Sequence, residues 1–303
     1  MTRRRLFWIA GPLLVLVVPG LAGFRARPVE CFNAYTELRL VLSGAETHTL
    51  TVSGYRLHYY AMGPASGPPV VLVHGLGGRS EDWRNLAPHL ARAGYRVYLP
   101  DLVGYGQSEQ PAGFSYSIPD EARVVVAFFD ALGLKQVDLG GWSMGGWIVQ
   151  RLALEHPERV RKLMLFDSAG LMVKPDWDTG LFTPRNASEL AELDALLMPR
   201  PPTVPDFVAI DVLRASDRNA WVIHRALASM LSGRDVTDGL LPQLRMPVLL
   251  VWGQVDRITP LREAETMHKL IAQSELAVIP ECGHLAPSMC ARQIGPRVVA
   301  FLR

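Results

Sequence analysis

The chain is poor in cysteine, and its charges nearly cancel. It has 3 cysteines among 303 residues, so the sequence predicts no disulfide framework of the kind that small secreted domains need. The 31 basic and 29 acidic residues leave a formal net charge of +2. Beyond the first 27 residues there is no basic block of the kind that binds nucleic acid. We therefore expect no nucleic-acid partner.

The composition is that of a globular protein. Hydrophobic residues make up 49% of the chain and charged residues 20%, which excludes a disordered chain and a collagen-like repeat. The length suffices for one large domain with an ample core, or for two small ones. Of the basic residues, 27 are arginine and 4 are lysine, a bias that indicates a GC-rich, bacterial genome.

Residues 1–27 carry an apolar segment with a basic flank. Arg3, Arg4 and Arg5 precede nineteen uncharged residues, Leu6–Phe24. At about 1.5 Å per residue, a helix of that length just crosses the hydrocarbon core of a bilayer. The flank predicts a membrane anchor with residues 28–303 outside the cytoplasm, in the periplasm if the source is bacterial. A cleaved signal peptide, with its cleavage site at Gly20–Ala22, is the alternative and would give a secreted protein.

Residues 28–303 alternate short apolar runs with stretches of helical period. Eight runs predict strands: Thr49–Val52, Tyr55–Ala61, Val70–His74, Arg96–Leu99, Gln136–Leu139, Leu163–Phe166, Val248–Trp252 and Leu276–Ile279. Four stretches between them predict helices: Arg79–Ala93, Pro119–Leu132, Gly146–His156 and Leu261–Ile271. Such alternation is typical of a mostly parallel sheet. Only Ser53 and Gly54 separate the first two runs, so we expect the sheet to begin with an antiparallel hairpin.

The alternation stops in one stretch, residues 173–242, which we call the cap segment. Its prolines cluster between positions 200 and 205, and it shows no convincing strand. Helical patterns occur at Ala187–Leu197, Asp206–Ala215 and Asn219–Leu231, the first with Asn186 as its N-cap. The apolar content suits either an additional helical layer or a lid over a site. We favour a lid, because the residues on either side carry chemistry.

Before the cap segment, the chain carries a serine in a glycine-rich turn. Gly141-Trp142-Ser143-Met144-Gly145 fits the pattern G-x-S-x-G between a predicted strand and a predicted helix. The glycines two residues before and after the serine permit a turn too tight for larger side chains. Such a turn exposes the hydroxyl at the end of the strand, where a base and a substrate carbonyl can both reach it. Ser143 is therefore the candidate nucleophile.

A serine nucleophile needs a base, and the base needs an acid that orients it. His284 follows the last predicted strand on a glycine-containing loop, a placement that the other seven histidines lack. Asp256 follows the seventh predicted strand, where its carboxylate would fix the tautomer of the imidazole. Asp167, after the sixth strand, is a second candidate for the acid. The order Ser143, Asp256, His284 along the chain is one of three orders found in such triads.

The oxyanion that forms during acyl transfer needs hydrogen-bond donors. The backbone N–H of Met144, directly after the nucleophile at a helix N-terminus, is one candidate. The other comes from the loop His74–Gly78, where Leu76 is our choice and Gly77 the alternative. We interpret His74 as a structural residue that holds this loop rather than as a base.

Five motifs in this order resemble the α/β-hydrolase superfamily over roughly residues 49–303: His74–Gly78, Asp101–Ser108, Gly141–Gly145, Gly253–Asp256 and Gly283-His284. The resemblance implies an eight-stranded, mostly parallel α/β sheet with a helical cap, and a catalytic triad of Ser143, Asp256 and His284. It implies no metal and no organic cofactor. The apolar N-terminal segment and Ser143–Gly146 are similar to those of membrane-anchored monoacylglycerol lipases and related bacterial lipases.

The predicted activity is hydrolysis of a small-molecule ester, of lipid or monoacylglycerol type, through an acyl-enzyme on Ser143. A carbon–carbon bond hydrolase of aromatic degradation is the alternative, because these enzymes have a similar serine and cap. They often carry a tryptophan after the Gly-His pair, where this chain has Leu285. Members with an aspartate nucleophile are disfavoured by Ser143. A non-catalytic binding protein is disfavoured by the intact set of nucleophile, base and acid.

Overall fold

The structure, a computed structural model, describes residues 23–303, so most of the predicted N-terminal anchor lies outside the described residues. Eight strands form one sheet in the order β1-β2-β4-β3-β5-β6-β7-β8. Their bounds are Glu46–Val52 (β1), Tyr55–Met62 (β2), Pro69–Val73 (β3), Arg96–Pro100 (β4), Val137–Trp142 (β5), Val160–Phe166 (β6), Val248–Gly253 (β7) and Ser274–Ile279 (β8). Strand β2 pairs antiparallel with β1 and β4, and the other neighbours are parallel. The predicted sheet is confirmed.

The central strands are buried on both faces. Along β3, Val71 and Val73 face one hydrophobic cluster, whereas Val70 and Leu72 face the other. Because both faces of such a strand are covered, its sequence is continuously apolar and does not alternate between apolar and polar residues. Side chains that follow these strands, including the candidate site residues, therefore start from well-packed positions.

The helices cover both faces and the carboxyl end of the sheet. They are Pro28–Leu42 (α1), Ala87–Arg92 (α2), Ile118–Ala131 (α3), Met144–Glu155 (α4), Ala187–Leu197 (α5), Asp206–Met230 (α6), Leu261–Leu270 (α7), Ala286–Met289 (α8) and Ala291–Leu302 (α9). Short 3₁₀ turns lie at Ser80–Trp83, Pro157–Arg159, Thr179–Phe182 and Leu241–Gln243. Among residues 23–303, no helix has both the length and the apolar composition needed to cross a membrane.

Three of the predicted helices are wrong in detail. The helix predicted over Arg79–Ala93 is a 3₁₀ turn followed by α2, because Pro88 lies in the first turn of a new helix and has no N–H to continue an earlier one. The helices predicted over Asp206–Ala215 and Asn219–Leu231 form one helix, α6, of 25 residues. The residues between them include neither glycine nor proline, so nothing breaks the helix there.

The cap segment lies between β6 and β7. It contains α5 and α6, and residues 167–247 include no strand. Asn186 caps α5 as predicted, since its side chain accepts a hydrogen bond from the Glu189 N–H at 3.0 Å. Helix α6 packs against α1, α3 and α5. Residues of the segment share a cavity with Ser143, which places them over the carboxyl end of the sheet.

Candidate active site

Ser143 sits in a strained turn between β5 and α4. Its φ is 54° and its ψ −119°, a conformation that non-glycine residues rarely adopt. A Cβ on Gly145 would lie 2.3 Å from the His74 carbonyl oxygen, and one on Gly141 would lie 2.3 Å from that of Gly145. Positions 141 and 145 must therefore both be glycine. The turn holds the serine hydroxyl at the carboxyl end of the central strand.

Three predicted residues meet at this point. The Ser143 Oγ lies 2.9 Å from His284 Nε2, and His284 Nδ1 lies 2.8 Å from Asp256 Oδ2. All three residues are more than nine-tenths buried. The loops after β5, β7 and β8 bring them together, as the chain order predicts. The geometry is that of a hydroxyl, a base and an orienting acid in one hydrogen-bonded line.

The Asp256 carboxylate is held from its own loop. Its Oδ1 accepts hydrogen bonds from the N–H groups of Ile258 (2.8 Å) and Thr259 (3.1 Å). The Thr259 hydroxyl lies 2.8 Å from Oδ2 and 3.3 Å from His284 Nδ1. Sequence reasoning missed Thr259. Its position three residues after a candidate acid, where a hydroxyl can bond back to the carboxylate, was the available signal.

Asp167, the second candidate for the acid, makes other contacts. Its Oδ1 accepts the Gly253 N–H at 2.7 Å, and its Oδ2 has no hydrogen-bond partner within residues 23–303. Burial, together with the neighbouring Asp256 charge, raises the pKa of Asp167 well above its usual value. Asp167 therefore lies buried beneath the site, and its carboxyl group ionises less readily than that of an exposed aspartate. Of the two aspartates, Asp256 is the one that contacts His284.

The two candidate oxyanion donors lie beside the serine. Met144 begins α4, and Leu76 lines the same cavity as Ser143. Among the described residues, the backbone N–H groups of Leu76 and Met144 make no hydrogen bond. Gly77, the alternative donor, has a φ of 69° and turns the loop away after Leu76. Two free N–H groups near a nucleophile are what an oxyanion requires.

His74 holds that loop in place. Its Nδ1 donates to the Gly75 carbonyl at 2.9 Å, and its Nε2 accepts the Leu102 N–H at 3.0 Å. The side chain is fully buried. Both ring nitrogens are thus occupied by the backbone, which is consistent with a structural role for this histidine.

A disulfide spans the loop that carries His284. Cys282 and Cys290 are bridged, and Cys31 is free and exposed. The expectation of no disulfide framework missed this single bridge, although two cysteines flanking the candidate base were visible in the sequence. The Trp142 indole also donates to the His284 carbonyl at 2.8 Å. The imidazole is therefore fixed through its backbone as well as its ring.

Ser143 opens into a cavity of about 420 Å³ between the sheet and the cap segment. Most of the wall is apolar and includes Leu76, Trp147, Trp177, Phe182, Leu227 and Met230. Two charged side chains line it, the buried Glu263 and the exposed Lys174. Within residues 23–303, no group of three or more His, Cys, Asp or Glu side chains is placed to hold a metal ion.

Comparison with known proteins identifies the family. A family model described as the alpha/beta hydrolase fold matches residues 68–228. The chain belongs to the α/β-hydrolase family. Lipase 1 of Psychrobacter immobilis is 28% identical to this α/β hydrolase, over 80% of each chain. The 2-hydroxymuconate semialdehyde hydrolase of Pseudomonas sp. (strain CF600) is 32% identical, over 84% of this chain and 92% of its own.

Among solved structures, a membrane phospholipase A described as a bacterial virulence factor superposes with a TM-score of 0.82. It is 26% identical to this α/β hydrolase, and the match covers 98% of both chains. The similar proteins thus include both a lipase and a 2-hydroxymuconate semialdehyde hydrolase. They establish a hydrolase with lipase-like relatives.

Proposed function

We propose that this α/β hydrolase cleaves carboxylic esters of lipid type, with monoacylglycerol-like esters as substrates. The observation that carries the proposal is the hydrogen-bonded line Ser143–His284–Asp256 at the base of a largely apolar cavity. These three residues supply the groups needed for ester cleavage, and the apolar wall of the cavity supplies a surface for an aliphatic chain. Lipase relatives support the same reaction.

The proposed reaction begins with acylation. Ser143 Oγ attacks the acyl carbonyl while His284 Nε2 takes its proton. Asp256 accepts the Nδ1–H bond and stabilises the imidazolium that forms. His284 then gives the proton to the alcohol oxygen as the carbon–oxygen bond of the ester breaks. The alcohol leaves, and the acyl group stays on the serine.

The negative charge on the carbonyl oxygen is stabilised by the N–H groups of Leu76 and Met144. Water then attacks the acyl-enzyme, with His284 as the base, and releases the carboxylic acid. Neither N–H group has a hydrogen-bond partner among residues 23–303, which leaves both available to the oxyanion. Apolar contact adds about 0.8 kcal/mol per buried methylene, so we expect binding to improve with acyl length until the cavity is full.

A carbon–carbon bond hydrolase is the second candidate, favoured by the 32% identity with 2-hydroxymuconate semialdehyde hydrolase. The substrate that this relative's name describes is an anion. In the cavity the buried charged residue is an acid, Glu263, and the basic residue, Lys174, is exposed. Leu285 after the Gly-His pair also differs from the tryptophan common in these enzymes. The charge of the wall favours an uncharged ester.

One substrate panel tests the assignment. We expect kcat/KM to rise along p-nitrophenyl esters from acetate to decanoate, and we expect a medium-chain monoacylglycerol to be cleaved. A vinylogous diketone acid should be cleaved at least a hundredfold more slowly than the best ester. The reverse order of rates would establish the carbon–carbon hydrolase instead.

We also propose that residues 1–27 anchor the enzyme to a membrane, with the catalytic domain outside the cytoplasm. The uncharged run Leu6–Phe24 and its arginine flank support this. The Cys282–Cys290 bridge supports an oxidising compartment, because disulfides rarely persist in the cytosol. Helix α1 follows directly and exposes the apolar side chains of Phe32 and Leu38.

Fractionation tests the location. The full-length protein should sediment with membranes and resist extraction by high salt, whereas a chain shortened to begin at Pro28 should be soluble. The shortened enzyme should still cleave short soluble esters. It should lose relatively more activity on long-chain monoacylglycerol in vesicles, where tethering raises the effective concentration. A soluble mature protein beginning near Gly23 would establish a cleaved signal peptide instead.

A further inference from the structure

Glu263 is a buried acid in the wall of the substrate cavity. It lies in the first turn of α7 and is 7% exposed. It lines the same cavity as Ser143 and Thr259, in a wall that is mostly apolar. The triad and its supporting bonds do not use this carboxyl group. A carboxyl group in such a place is solvated by water in the cavity or bound by a ligand that displaces that water.

Within residues 23–303, the Glu263 carboxyl oxygens accept no hydrogen bond. Burial, followed by the charge of Asp256, raises the pKa of Glu263 to about 7. Asp176 and Asp238 act in the same direction and Arg262 in the opposite one. Near neutral pH the group is thus shared between an acid, which both donates and accepts a hydrogen bond, and a carboxylate, which only accepts.

The chemistry of the wall limits what Glu263 can bind. An anionic group would be repelled by the carboxylate and by Asp256 nearby. A cationic group would suit the carboxylate but not the neutral acid, which is also populated near pH 7. An aliphatic hydroxyl suits both states of the glutamate, because it can donate to the carboxylate and either donate to or accept from the acid.

We propose that Glu263 binds an aliphatic hydroxyl of the substrate and makes the enzyme selective for hydroxylated esters. The inference rests on the proposed ester hydrolysis and deepens it. The hydroxyl has two sources, the alcohol part of a partial glyceride or a hydroxylated acyl chain. A site built for a hydroxyl disfavours the analogue that lacks it, because the buried polar group is then left unpaired.

Two pairs of esters distinguish the sources. 1-Monodecanoylglycerol and propyl decanoate differ only in two hydroxyls on the alcohol, and methyl 10-hydroxydecanoate and methyl decanoate differ in one on the acyl chain. The preference is the ratio of kcat/KM within each pair. The variants are Glu263→Leu, which removes the hydrogen bond, and Glu263→Gln, which keeps a donor and an acceptor. Glu265→Leu, the same change at an exposed position of α7, is the control.

We expect the wild-type enzyme to prefer the hydroxylated ester in one pair, which identifies the source. Glu263→Leu should reduce that preference about tenfold, Glu263→Gln should retain most of it, and Glu265→Leu should leave it unchanged. Equal losses on both members of each pair would show a structural role and overturn the proposal. An unchanged ratio in Glu263→Leu would overturn it as well.

The pH dependence of KM gives a second readout. As pH rises through about 7, the carboxylate forms in the apolar cavity, and KM for propyl decanoate should rise in the wild type but not in Glu263→Gln. The Gln variant is the control for every other charged group near the cavity, because it keeps His284, Asp256, Asp176, Asp238, Arg262 and Lys174 in place. The same pH profile in both enzymes would overturn the assignment. If the wild type neither cleaves these esters nor reacts with a fluorophosphonate, the proposed function itself fails.

Discussion

Two regions meet at the cavity and differ in how firmly they are held. The proposed catalytic edge, called the edge below, comprises Ser143, Asp256 and His284 on the loops after β5, β7 and β8, each fixed by hydrogen bonds or a strained turn. The cap wall comprises the cavity-lining residues of the cap segment with Met172, and it includes exposed apolar side chains such as Met172 at 62% and Leu231 at 52%. We infer that the edge sets the reaction and the wall sets the substrate. Changes at the edge should therefore reduce activity on every ester alike, whereas changes in the wall should alter the order among esters.

The largest effect is expected at the nucleophile. Ser143→Ala removes the attacking oxygen and should lower kcat on every ester by about 10⁴-fold or more. Labelling by a fluorophosphonate probe should disappear, while the circular dichroism spectrum and thermal midpoint remain those of a folded enzyme. Retained labelling of the folded variant would place the nucleophile elsewhere.

Substitution of each aspartate distinguishes the acid that contacts His284 from the buried acid beneath the site. Asp256→Asn should lower kcat about 10⁴-fold, because the amide no longer fixes the imidazole tautomer or stabilises the imidazolium. Asp167→Asn leaves the bond between Asp256 and His284 in place and should cost less than tenfold in kcat. The measurement is kcat at saturating ester, with binding compared through KM. The opposite ranking would move the acid to the end of β6.

The edge was predictable from the sequence because each of its side chains follows a recognisable strand. Ser143 is marked by its glycines, and Asp256 and His284 by their positions after β7 and β8. Parallel strands end at one side of a sheet, so such residues must converge. Thr259 is less clearly marked: its position three residues after Asp256 permits a bond to the carboxylate, but threonines are common in loops and the bond exists only in the folded turn.

The wall was less predictable, because its residues come together only through long-range packing. The sequence located the cap segment and the N-cap Asn186, but divided α6 in two. The same holds for Glu263, which lies outside the cap wall on the helix after the acid: nothing in the pattern places it in the same cavity as Ser143. The Cys282–Cys290 bridge was missed for a related reason: a pairing is a statement about distance in space, and cysteine count alone does not give it.

An intermediate loss of kcat is expected when the disulfide is removed, because the bridge holds the His284 loop but takes no part in the proposed chemistry. Replacing both Cys282 and Cys290 by serine should free the His284 loop and lower kcat on all esters about tenfold. The Trp142 indole still holds the His284 carbonyl, which limits the loss. Cys31→Ser, at an exposed cysteine, is the control and should change nothing. If the double variant changed the preference among esters instead of lowering kcat on all of them alike, the loop would contribute to substrate selection, as we infer for the cap wall.

The smallest effect is expected in the cap wall. Met230 lines the cavity at the end of α6, and Met230→Ala removes side-chain volume opposite the sheet. Short acyl esters then lose contacts worth about 0.8 kcal/mol per methylene, so their kcat/KM should fall about three- to tenfold. Longer chains can fill the new space and should change little, which moves the optimum along a series of p-nitrophenyl esters toward longer acyl groups.

Ile210→Ala is the matched control for this change, because Ile210 lies on the same helix but is exposed. It should leave the chain-length profile unaltered. If Met230→Ala instead lowers activity equally on all chain lengths, the wall contributes to the placement of the edge. The separation between a region that reacts and a region that selects would then not hold for this enzyme.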